Sequence, residues 1–215
     1  MNLREETEFL LNKYKLKANK NLGQNFLISE EIIEEIVSKA EVSKDDVVIE
    51  IGPGLGSLTS KLAEAAKKVI AIELDDNMIM VLSERFSLYE NVEIIHEDVL
   101  KANLQEIIGE NKKVKIVANL PYYITTPIIM RFIENSVNIK AMVIMVQEEV
   151  AYRLASKESN SDYGAITVGI NLRGNAEVVM RVPREKFTPA PNVDSAVVKI
   201  TMQKDKFKDV NFSAV

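Results

Sequence analysis

The 215-residue chain has no cysteine, no tryptophan and a single histidine. The missing cysteines exclude disulfides, thiolate chemistry and zinc–thiolate sites, and one histidine cannot build a histidine-rich metal centre. Metal catalysis is therefore not expected. His96 follows the apolar segment Val92-Glu93-Ile94-Ile95 and is assigned no role. Long apolar runs are also lacking. The longest, Ala141 to Val146, is far short of the roughly 20 residues of a membrane-spanning helix. The N-terminal Met1-Asn2-Leu3-Arg4-Glu5-Glu6 has no signal-peptide core. A cytoplasmic protein with no membrane partner is expected. Positive charge is scarce, with 27 Lys and Arg against 32 Asp and Glu, net −5. That balance argues against a broad nucleic-acid surface, so any RNA contact is local. The local candidates are Lys13, Lys15, Lys17 and Lys20, and then Arg181, Arg184 and Lys186, although short charge runs also serve simply as solvated faces.

With 47% hydrophobic residues and no internal repeat, the chain is most simply one domain, and a monomer is expected. Ser29 is expected to cap a helix reaching about Ala40, with Ile32, Ile33, Ile36 and Val37 on one face. Short apolar strands then alternate with helical stretches: strand Val47 to Ile51, helix Leu58 to Lys67, strand Val69 to Glu73, helix Asn77 to Phe86 and strand Val92 to Ile95. After these come strand Val114 to Ala118, a helix after Pro127 and strand Ala141 to Val146. This βαβ order predicts a doubly wound, mostly parallel sheet. Ala176 to Val182 and Ser195 to Met202 read as an antiparallel hairpin on its edge. The tail from Lys204 has no clear period and is expected to be partly disordered.

Chemistry concentrates where these strands end, since ligands of open α/β sheets bind at the carboxyl edge. Gly52-Pro53-Gly54-Leu55-Gly56-Ser57 follows the first strand. Glycines there let a ligand lie against the backbone, while Ser57 breaks the full dinucleotide spacing. Glu73 ends the second strand about 20 residues on, where a carboxylate accepts bonds from ribose hydroxyls. Asp98 follows the third strand and is placed to read an adenine amino group or simply to cap a turn. Asn119-Leu120-Pro121-Tyr122 ends the next. Its amide oxygen and the Leu120 carbonyl would accept the two hydrogens of a weakly nucleophilic planar amine. Pro121 sets the turn, and Tyr122 offers a stacking face.

With these residues in view, the chain resembles the ribosomal RNA adenine N6-dimethyltransferases, S-adenosylmethionine enzymes of the kasugamycin-resistance type. The resemblance runs through Leu22-Gly23-Gln24-Asn25-Phe26-Leu27, Glu50-Ile51-Gly52-Pro53-Gly54, Ile72-Glu73-Leu74-Asp75, Glu97-Asp98, Asn119 to Pro127, and Phe187-Thr188-Pro189-Ala190-Pro191-Asn192-Val193-Asp194-Ser195. It implies a Rossmann-like methyltransferase fold with a mostly parallel seven-stranded sheet and an antiparallel edge hairpin. It also implies that S-adenosylmethionine is bound by Asn25, Leu27, Gly52, Gly54, Glu73, Asp98 and Asn119. Asn119, Leu120, Pro121 and Tyr122 would form the catalytic segment, and Phe187 a second aromatic wall for the target base. In the implied reaction a flipped adenine attacks the sulfonium methyl in line, twice, giving dimethyladenosine on small-subunit ribosomal RNA in ribosome biogenesis.

Leu120 with Thr126-Pro127 resembles the small-subunit branch, the alternative being the large-subunit branch that confers macrolide resistance. Family members continue into a basic helical domain for which this chain has no segment. Residues 1–215 are thus expected to be the catalytic domain, with an N-terminal arm to about residue 28 and a tail from about 203. Two further readings remain open at this stage: a nicotinamide oxidoreductase sharing the glycine loop and Glu73, and an assembly checkpoint factor in which binding outweighs methylation.

Overall fold

The computed structural model describes residues 1–19, 22–111, 114–134, 138–156 and 164–203. The expected disorder of the tail from Lys204, and Lys20 of the first basic cluster, lie outside them. In chain order the elements begin with α1 (Leu3–Lys13), β1 (Phe26–Leu27), α2 (Glu30–Lys39), β2 (Val47–Ile51), α3 (Ser57–Ala65) and β3 (Lys68–Glu73). They continue with α4 (Asp76–Arg85), β4 (Val92–His96), α5 (Leu104–Ile108), β5 (Val114–Asn119), α6 (Thr125–Glu134) and β6 (Ile139–Gln147). The last are α7 (Glu148–Leu154), α8 (Ala165–Arg173), β7 (Gly174–Val182), β8 (Phe187–Thr188) and β9 (Ser195–Met202).

Seven strands form one sheet in the order β4-β3-β2-β5-β6-β9-β7. Strands β2 to β6 run parallel, and β9 lies antiparallel between β6 and β7. The predicted doubly wound sheet and its antiparallel edge pair are both present. Both faces are buried, and successive residues of a strand go to opposite cores. Ile116 and Ala118 of β5, with Met142 and Ile144 of β6, join α6 on one side. Val117, Val143 and Met145 join α2 and α3 on the other. This two-sided burial is why the strands read as continuous apolar runs.

Several boundaries differ from expectation. Ser29 precedes α2, but its side chain makes no capping bond; Glu30 and Glu31 in the first turn complement the helix dipole instead. Helix α6 begins at Thr125, before Pro127, because a proline in the first turn forfeits only an N–H that has no helical partner. The arm contains α1, fastened to α4 through Lys13 and Tyr14 on Glu84 and through Glu6 on Arg85. The segment Phe26-Leu27 is a short strand paired with β8. Among the described residues no helix is long and apolar enough to cross a membrane.

Phe132 of α6 is 1% exposed in the core beneath β5 and β6. Phe132→Ala is expected to lower the unfolding free energy by about 3–5 kcal/mol in urea titrations, through lost burial and the cavity left behind.

Candidate active site

The chain leaves β2 through a loop of three positive-φ glycines, Gly52 (+63°), Gly54 (+58°) and Gly56 (+84°). They do different work. Gly52 and Gly54 line a cavity and Gly56 does not. A Cβ on Gly56 would lie 2.5 Å from the Phe86 ring and 3.0 Å from Leu82. The third glycine therefore serves the packing of α4 against the loop, not ligand approach as the spacing suggested.

Around this loop stand the acids. Glu73, at the end of β3, is 7% exposed. Its Oε1 accepts the N–H groups of Leu74 and Asp75 at 2.8 and 2.9 Å, and its Oε2 accepts Gly54 N–H at 3.2 Å. Burial nevertheless raises its pKa against the pull of these donors. A carboxylate has about four acceptor sites, so a hydroxyl still has room on Oε2. Glu50, on β2, is 1% exposed. Burial, with a smaller push from the charge of Glu73, lifts its pKa to about 8 against the pull of the Thr59 hydroxyl. Asp98 accepts Leu100 N–H at 2.9 Å, capping its turn, while its Oδ2 lies 3.5 Å from Lys101 Nζ. Asp98 thus caps a turn and lines the cavity as well.

The opposite wall begins where β5 ends. Asn119 Nδ2 donates to the Asn25 carbonyl at 3.3 Å, tying the strand end to the arm. Leu120, 1% exposed, donates its N–H to Met145 O at 3.0 Å, so both its side chain and its peptide are held. No described residue hydrogen-bonds Asn119 Oδ1 or the Leu120 carbonyl. Pro121 turns the chain (φ −59°, ψ 127°) into a short 3₁₀ turn, Tyr122–Ile124. The Tyr122 hydroxyl meets the fully buried Ser195 Oγ at 2.6 Å. Burial, together with the charge of Asp194, raises the Tyr122 pKa against that bond, so the phenol is neutral at physiological pH.

One cavity, with about 790 Å³ of open space including its mouth, brings together Asn25, Gly52, Gly54, Glu73, Asp98, Asn119, Leu120, Pro121 and Tyr122. Leu27 and Phe187 are not among its lining. They pair across β1 and β8 and are 7% and 3% exposed, in the core with Val182 and Val197. The short β1–β8 ladder turns both side chains inward. His96 Nε2 sits 3.3 Å from Leu74 O, outside the cavity lining. Arg181, a candidate RNA contact, is engaged by Glu148 and Asp194.

Three contributors escaped the sequence reading. Gln24 accepts Asn19 N–H and donates to Asp75 Oδ2 at 2.8 Å, bracing the arm over the cavity. Ser195 anchors Tyr122. Tyr123 lines the cavity's rim at 54% exposure. All three lie within the motifs that carry the resemblance, the one signal that singled them out.

Gly56→Ala is expected to cost roughly 2–4 kcal/mol of stability, combining a left-handed backbone penalty with overpacking against Phe86; urea titration reads it. For Glu50 the unfolded chain ionises near pH 4.5 and the folded chain near 8. Between those values the folded state holds the extra proton, so stability falls as pH rises through this window. Glu50→Gln is expected to flatten that slope in denaturation curves measured from pH 5 to pH 8.

A profile of the ribosomal RNA adenine dimethylase family matches residues 15–214. The small-subunit ribosomal RNA methyltransferase A of Alkaliphilus metalliredigens is 48% identical over 91% of this chain and 69% of its own length. The protein of the same name from Geobacillus thermodenitrificans is 49% identical over 91% and 68%. Among solved structures, a dimethyladenosine transferase from Plasmodium falciparum superposes with a TM-score of 0.76 at 33% identity, covering 86% of this chain and 66% of that one. The 23S rRNA methyltransferase ErmE gives 0.73 at 31%, covering 83% and 70%. From the extent of the profile match and the identity to these relatives, the chain belongs to the ribosomal RNA adenine dimethylase family.

Proposed function

We propose that this chain dimethylates the N6 amine of two adjacent adenines near the 3′ end of small-subunit ribosomal RNA, using S-adenosylmethionine. The observation that supports it most is a pair of acceptors that no described residue hydrogen-bonds, Asn119 Oδ1 and the Leu120 carbonyl, on successive residues that line the cavity. The cavity fits the cofactor. Gly52 and Gly54 offer bare backbone, Glu73 Oε2 has room for a ribose hydroxyl, and the acids Glu73 and Asp98 suit a cationic nucleoside. S-adenosylmethionine, when bound there, supplies the methyl group.

The protein's own groups handle the base. The exocyclic amine donates its two N–H groups in hydrogen bonds to Asn119 Oδ1 and the Leu120 carbonyl. These acceptors favour the tetrahedral, positively charging nitrogen over the planar one. The Leu120 bond to Met145 and the Asn119 bond to Asn25 hold the acceptors before the base arrives. Such prior placement is where electrostatic catalysis gains its rate. The Tyr122 ring, fixed at its hydroxyl by Ser195, gives a stacking face for a flipped adenine.

The small-subunit target is favoured over the large-subunit one by the 48% identity to a protein named for the small subunit, against 31% to ErmE. Leu120 with Thr126-Pro127 points the same way. A cytoplasmic location and a monomeric enzyme go with this reading.

Labelled S-adenosylmethionine, incubated with small subunits lacking the modification, is expected to yield dimethyladenosine in digested small-subunit RNA by mass spectrometry. Product on large-subunit RNA alone would contradict the proposal. Asn119→Ala is expected to lower kcat by roughly 10²–10³.

A further inference from the structure

Two tyrosines follow one another after Pro121, and the fold gives them opposite surroundings. Tyr122 is half-buried, and its hydroxyl is tied to Ser195 at 2.6 Å. Tyr123 is 54% exposed, lines the same cavity, and no described residue hydrogen-bonds its hydroxyl. Its ring is nonetheless supported from one side: a Cβ on Gly23 of the arm would lie 3.5 Å from Tyr123 Cδ1. Gly23 (φ +62°) brings bare backbone against the ring, which presents the rest of its surface at the mouth. A large aromatic side chain left in water beside a catalytic segment, backed by a glycine, is placed to receive another ring.

We propose that Tyr123 is a second nucleobase subsite, stacking on the base next to the target adenine in the RNA. This rests on the function proposed above. Flipping a nucleotide out of its stack strips its neighbour of a stacking partner. An exposed ring one residue along from Tyr122 restores that partner within one nucleotide of the target. Aromatic stacking tolerates any base, so the subsite adds affinity and register, while choice of the methylated base stays with Asn119 and Leu120.

The test compares wild type with Tyr123→Phe, Tyr123→Leu and Tyr123→Ala in steady-state methyl transfer to unmodified small subunits. Calorimetric affinity for S-adenosylmethionine and thermal midpoints are measured alongside. Tyr123→Phe should hold KM for the subunit near wild type. Leu, which keeps an apolar side chain without a π face, and Ala should each raise it roughly tenfold, with kcat and cofactor affinity unchanged. An unchanged KM in both Leu and Ala variants overturns the subsite. A matching loss of cofactor affinity also overturns it, by assigning the ring to the cofactor pocket. Absence of transfer by the wild type would instead fail the proposed function itself, and this inference with it.

Discussion

Burying both faces of a parallel sheet is the constraint on which the rest of this structure depends. Once α2 and α3 cover one face and α6 the other, the polar groups that recognise a ligand have only strand ends and loops to occupy. Strand order reverses between β2 and β5, and the ends of β2 to β5 with the turns that follow them supply Gly52, Glu73, Asp98 and Asn119 to a single cavity. The site is thus a consequence of topology as much as of the residues in it. The same burial bears on the acids. Glu50 and Glu73 stand on strands deep enough that desolvation dominates their ionisation, against three backbone donors in the case of Glu73.

The arm closes the cavity from the other side through polar bonds. Helix α1 packs Leu10 and Leu11 against the cluster of Met78, Val81, Leu82 and Phe86, and Lys13, Tyr14 and Glu6 tie it to α4. Gln24 then bridges to Asp75, and the Asn25 carbonyl receives Asn119. Asp75 also donates its N–H to Glu73, so the arm's anchor and the proposed ribose acceptor share one turn. Asn119, the proposed contact to the base, is likewise joined to the arm by one bond, to the Asn25 carbonyl. Reactant placement, the main resource of an enzyme without a covalent intermediate, rests on these few contacts.

The central strands were legible because two-sided burial writes them as runs of Val, Ile, Met and Ala, and their succession disclosed the sheet. Helices off this pattern were not. Helix α8, Ala165–Arg173, carries Ile166, Thr167, Val168 and Ile170, β-branched residues that favour strands in isolation. It is helical because Ile166 and Ile170 are buried in the core beside α6 and Gly169 makes room for Met130. Helix α5 is five residues long, too short to show a period. At the site, the strand-end residues were legible from spacing, whereas Ser195 and Gln24 act over 73 and 51 positions of sequence separation, which no local pattern encodes. Phe187 and Leu27 illustrate the converse. A motif position was read as a pocket wall, while the β1–β8 ladder turns both side chains into the core.

The central claim is that the cavity at the ends of β2 to β5 holds S-adenosylmethionine, with Glu73 as its ribose acceptor. Isothermal titration of S-adenosylmethionine into the protein tests it most directly. One site per chain is expected, with affinity at least roughly tenfold weaker in Glu73→Ala, as loss of a hydrogen bond to a charged group entails. No binding to the folded wild type, or equal binding by both proteins, would contradict the account.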